Sequence, residues 1–108
     1  MSGGHFDYVD RYIDDIANEI EDIYDRQGQK RDKDELWNTK EYYEKYPEET
    51  FYETFSPIVQ AKLLLAVRAL KEAYIYARRI DYFLSGDDGE DSFIERLNEE
   101  LSELNQQA

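Results

Sequence analysis

The sequence predicts an all-α fold, a small helical bundle of three long helices with short helices in the connection between the first two. Two observations carry that prediction. Apolar residues recur at steps of three and four in three separate segments, and no run alternates β-branched with polar residues as a strand would. At 108 residues, 41% hydrophobic and 15% aromatic, the chain has material for one core of modest size, so a single acidic helical domain spans 1–108. Within it, 1–5 read as a flexible lead, 31–55 as an aromatic-rich connection and 106–108 as a frayed tail.

In the first segment Val9, Ile13, Ile16, Ile20 and Ile23 fall on one stripe of a helix over 6–26, which Gly28 ends. In the middle segment Val59, Leu63, Ala66, Leu70, Ala73, Ala77, Ile80 and Leu84 step four and three along about seven turns, with Ser56 as the cap and Pro57 in the first turn. Leu64, Leu65, Val67 and Tyr74 widen the apolar arc, so this helix is expected to lie centrally against two neighbours. The last helix is expected to begin at Ser92, with Glu95 completing a capping box and Ile94, Leu97, Leu101 and Leu104 as its stripe. Between the first two long helices, Asn38 with Glu41 and Thr50 with Glu53 resemble capping boxes, predicting short helices over 40–46 and 47–55. The aromatics of that connection, Trp37, Tyr42, Tyr43, Tyr46, Phe51, Tyr52 and Phe55, are expected to pack, the functional reading being an aromatic groove for a partner.

Composition excludes several classes of function. With 26 acidic against 13 basic side chains the net charge is −13, which repels nucleic-acid backbones and anionic membranes. The absence of cysteine excludes disulfides and thiolate metal sites. No apolar run is long enough to span a membrane and no signal peptide opens the chain, so the expected location is the cytoplasm. One His, no Cys, no glycine-rich phosphate loop and no Glu-x-x-His repeat leave no assembled catalytic constellation, so no enzyme activity and no cofactor are expected.

Two motifs invite a metal. The acidic stretch 87–91 fails the EF-hand pattern, because counting from Asp87 the third position is Gly89, the sixth Ser92 and the twelfth Asn98. It reads as a corner in which Gly86 stops one helix and Asp91 and Ser92 start the next, a weak calcium site of Asp87, Asp88, Glu90 and Asp91 being the alternative. At the N-terminus, removal of Met1 leaves His5 in fourth place, too far along for an amino-terminal copper site and alone for zinc. No metal is expected, and His5 is read as a contact residue.

Charge is segregated along the chain. Residues 1–56 carry 7 basic and 16 acidic side chains, 57–84 carry 5 and 2, and 85–108 carry 1 and 8. Asp7, Asp10, Asp14, Glu21 and Asp25 are expected on a face turned away from the isoleucines, as a candidate interaction face. Their carboxylates would lie about 5 Å apart along the axis, near the scale of the roughly 3.4 Å spacing of phosphates along a nucleic-acid strand. Such a surface could occupy a basic groove on a nucleic-acid-binding protein. Arg68, Lys71, Arg78 and Arg79 of the middle helix are expected to pair with these acids, a small bound anion being the sharper reading.

The opening MSGGHFDY, the following IDDIANEIE and the segment YARRIDYFLSGDDGEDSFIERL resemble a family of small uncharacterised proteins of bacteriophages, prophages and their bacterial hosts. The shared pattern begins MSGG(H/S)F(D/N)Y and returns as YAxRIDxxLSGDDGExSFxxRL; residues 31–55 lie outside it. The resemblance implies an accessory protein of phage type acting in the bacterial cytoplasm on a host factor. With the acidic surface, the expected function is a non-enzymatic helical module that binds another protein and antagonises a nucleic-acid-binding or defence factor. Two other classes compete with it: a module sequestering a nucleotide-like anion with its aromatics and Arg68, Lys71, Arg78 and Arg79, and a self-associating structural component, since seams at steps of three and four also pair between chains.

Overall fold

The computed structural model describes residues 4–106. In chain order it contains α1 (Arg11–Asp25), a 3-10 turn (Lys33–Glu35), α2 (Lys40–Lys45), a second 3-10 turn (Pro47–Thr50), α3 (Pro57–Leu84) and α4 (Glu90–Gln106). The fold is all-α: among the described residues no strand forms, and one isolated antiparallel bridge joins Lys30 to Phe51 where the two ends of the connection meet.

Helix α3 organises the rest. Ser56 caps it, its hydroxyl accepting the Val59 N–H at 3.3 Å, and Pro57 occupies the first turn, where its missing N–H costs nothing. Its 28 residues make a rod about 42 Å long. At its far end Gly86 takes φ +84°, a left-handed conformation that lets the Asp87 N–H reach the Tyr82 carbonyl at 2.9 Å and turns the chain into α4. The corner expected at 86–92 is therefore where the sequence places it.

Both α1 and α4 run antiparallel to α3. His5 and Phe6 meet Asp81 near the end of α3, while the Gln27 side chain takes the Phe55 N–H at its start. On the other flank Phe93 stacks on Phe83 at 5.1 Å and Asn105 takes Arg68. Each outer helix packs on α3 and not on the other. The three long helices thus form an elongated slab, 63 × 29 × 15 Å, rather than closing on themselves. Its radius of gyration of 19.6 Å exceeds the roughly 13 Å of a compact chain of this length.

Several boundaries differ from those expected. Helix α1 begins at Arg11 rather than at residue 6, because Asp7 and Tyr8 hold positive φ of 54° and 62° in a turn that delivers the His5 and Phe6 N–H groups to Asp81. Helix α4 begins at Glu90, so Ser92 sits inside the first turn and is not the cap. Thr39 rather than Asn38 caps α2, accepting the Tyr42 N–H at 3.2 Å, and the following helix stops at Thr50, well short of residue 55. Helix α4 remains helical through Gln106. Of the expected lead and tail, residues 1–3 and 107–108 lie outside the described residues.

Burial is inverted relative to an ordinary core. Among the described residues Ala17 is the one buried apolar side chain, and the other buried side chains belong to Arg79, Asp81 and Asp88. The stripes read from the sequence, such as Ile13, Ile20, Leu63 and Leu70, are half-buried in the two seams with α3. The seams are held by polar groups set among these half-covered apolar ones.

Candidate interaction surface

Two polar clamps fix the outer helices. Asp81 is 2% exposed and its Oδ1 accepts the His5 N–H at 2.6 Å, the Phe6 N–H at 3.3 Å and the Ser85 hydroxyl at 3.3 Å, tying the N-terminal turn to α3. A carboxylate that takes main-chain N–H groups satisfies donors a helix start otherwise leaves orphaned. On the other flank Arg79 reaches Asp88 at 3.6 Å and Glu100 at 3.4 Å, with its guanidinium over the Tyr82 ring at 4.6 Å, while Arg96 joins Asp88 at 3.2 Å. Arg78 bonds Glu100 and lies over Tyr74. Burial alone would lower the Arg78 pKa, and the Glu100 carboxylate outweighs it, leaving the guanidinium firmly charged.

The four cations considered as an anion site are thus each engaged within the chain. Arg68 bonds Asn105, Lys71 binds Asp14 at 2.9 Å and Asn18 at 2.6 Å, and Arg78 and Arg79 hold α4. Of the expected pairs with the acids of the N-terminal segment one forms, Lys71 with Asp14; Arg78 and Arg79 pair instead with Glu100 and Asp88, and Arg68 bonds the Asn105 amide, because α4 lies along their side of α3. Asp88, a calcium ligand in the alternative reading of the corner, points at two arginines.

The acidic set on the N-terminal segment is divided. Asp14 turns inward to Lys71, and Asp10 is half-buried in a cleft with Tyr74, Arg78 and Tyr82. Asp7 lies in the turn before α1 rather than on the helix. Glu21 and Asp25 remain exposed on α1. The isoleucine stripe is not wholly inward either, since Ile16 is half exposed.

The connection overturns the expectation of packing at its most prominent residue. Trp37 is 86% exposed, beside a 260 Å³ cleft lined by Arg31, Glu35, Tyr42, Tyr43 and Glu49. The walls are joined by local contacts: Tyr42 meets Tyr43 edge-on at 5.3 Å, the Tyr43 hydroxyl accepts the Asn38 N–H at 3.2 Å, and the Tyr52 hydroxyl donates to Glu35. That bond lowers the Glu35 pKa and raises that of Tyr52. Arg26 and Arg31 lie over the Tyr52 ring at 4.5 and 5.0 Å. Trp37 was legible as an aromatic, but hydropathy carries no sign that nothing covers it.

A second open region lies on α3. Leu64 and Leu65, with Ala61 and Val67, floor a groove of about 800 Å³ rimmed by Glu21 of α1 and Leu104 of α4. Among the described residues no group of His, Asp or Glu is placed to hold a metal ion, and no helix is long and apolar enough to cross a membrane. Neither protein-family models, nor curated proteins, nor solved structures contain a match to this chain. The chemistry of these surfaces is therefore what points to function.

Proposed function

We propose that the chain is a non-enzymatic accessory module of the phage type that acts in the bacterial cytoplasm by binding another protein, and that its acidic surface antagonises a nucleic-acid-binding or defence factor of the host. The observation that carries the reading is Trp37. A tryptophan left 86% exposed beside arginine and two tyrosines is the composition of a binding hot spot, where truncation to alanine commonly costs at least about 2 kcal/mol. Nothing in the fold requires that exposure. The net charge of −13 supports a basic partner, because complementary charge accelerates encounter and excludes acidic competitors.

The test is a pull-down of the tagged chain from bacterial lysate, washed at low and at high salt, with Trp37→Ala in parallel. The expected result is a basic, nucleic-acid-binding protein retained at low salt, released at high salt and displaced by added DNA. Trp37→Ala should weaken its binding by at least about tenfold. Recovery that is indifferent to both salt and Trp37 would overturn the reading.

A further inference from the structure

One face of α3 has no neighbour within the chain. Along it Ile58, Lys62, Leu65, Ala69, Glu72 and Tyr76 step four, three, four, three, four, and every one of them is exposed, Ile58 at 74% and Leu65 at 61%. That spacing averages 3.6 residues per step, so the six residues share one face along five turns of the helix. Lys62 and Glu72 make no ion pair among the described residues. The two charges also lie five residues either side of Val67.

We infer that this seam is a homodimer interface in which α3 of a second copy packs antiparallel about Val67. A two-fold axis at that residue brings Lys62 against the second copy's Glu72, Leu65 against its Ala69 and Ile58 against its Tyr76. Each charge meets its opposite, each large apolar residue meets a small or aromatic one, and Ala61 faces Ala73, so the backbones can approach closely. A parallel pairing in register would instead set Lys62 against Lys62 and Glu72 against Glu72, so the charges select the antiparallel arrangement.

The chain as a whole leaves more surface open than a compact monomer does. The chain exposes 8021 Å², whereas a folded monomer of 12.9 kDa exposes about 6,300 Å². The excess of about 1,700 Å² per chain follows from the elongated slab, and the open face of α3 is one part of it. The inference stands apart from the proposed function, since it uses neither Trp37 nor the acidic surface.

Sedimentation velocity of the full chain across the micromolar range tests it. The expected species is twice 12.9 kDa, dissociating on dilution. Lys62→Glu sets two like charges together and should raise the dissociation constant at least about tenfold, and adding Glu72→Lys should restore it. Leu65→Asp should give a monomer with an unchanged helical circular dichroism spectrum, because Leu65 is already 61% exposed within the chain. A wild-type monomer throughout would overturn the inference, as would a Leu65→Asp dimer or a double charge swap that fails to recover association.

Discussion

The C-terminal half of α3 and the connection between α1 and α3 use the same chemistry at opposite depths. Around α3, Arg79, Asp81 and Asp88 are buried and their partners reach them from two other segments. In the connection, Glu35 takes the Tyr52 hydroxyl and Glu49 that of Tyr42, all at the surface. Depth decides what each is worth. A buried charge that loses its partner keeps its desolvation penalty, whereas an exposed one turns to water. The clamps therefore decide whether the slab exists, and the connection is left free to present Trp37 without carrying the fold.

The sharpest way to break that contrast is Arg79→Met. It leaves the Asp88 side chain, 4% exposed, with Arg96 at 3.2 Å in place of two arginines and takes the buried cation from Glu100 as well, and should cost about 3 kcal/mol. For a domain of this size that lowers the melting temperature by roughly 15 °C. Arg31→Met in the connection removes an ion pair that is more than a third exposed and should cost well under about 1 kcal/mol. Equal losses in thermal unfolding of the two variants would erase the distinction.

Asp81→Ala comes next, at about 2 kcal/mol, because the His5 and Phe6 N–H groups lose their acceptor. Asp81→Asn retains an oxygen and should lose less. Hydrogen exchange at the His5 and Phe6 amides should accelerate in the alanine variant while the amides within α4 keep their protection, since that helix is held by the other clamp. Uniform acceleration would mean that the two clamps are not separable.

How far the sequence discloses this arrangement follows from what periodicity measures. Steps of three and four located the long helices, and Ser56, Pro57 and Gly86 marked ends through local chemistry that needs no tertiary partner, whereas α1 stops at Asp25 and Gly28 serves the contact with Tyr52. The start of α1 escaped, because the acceptor that reshapes residues 5–10 sits 76 positions away. A lone Asp81 inside the apolar run Ile80 to Leu84 was the signal available for it. Periodicity also reports that a face is apolar and not whether anything covers it, so Leu64, Leu65 and Trp37 read as packing when they are open. Charge pairing was legible in kind: cations on a central helix between acidic segments had to meet acids, though which helix supplies them depends on the antiparallel course of both neighbours.

The smallest expected effect belongs to the connection and concerns titration alone. Glu49 accepts the Tyr42 hydroxyl, and this bond, with lesser help from burial and from the negative charge of Glu49, pushes the Tyr42 pKa up to about 12 from the ordinary tyrosine value near 10. The fold thus favours the neutral phenol. Whatever stability the bond contributes is fully present below about pH 10 and is lost as the pH rises toward about 12, a window outside which the pair is silent. Glu49→Ala removes the acceptor and the charge together and should return the midpoint, followed by the NMR shifts of the Tyr42 ring, toward 10 while thermal unfolding at neutral pH stays close to that of wild type. A large loss of stability in that variant would show that the connection bears on the fold as the α3 clamps do, and that Trp37 is held out by a structure with its own energetic weight rather than by a loop free to vary.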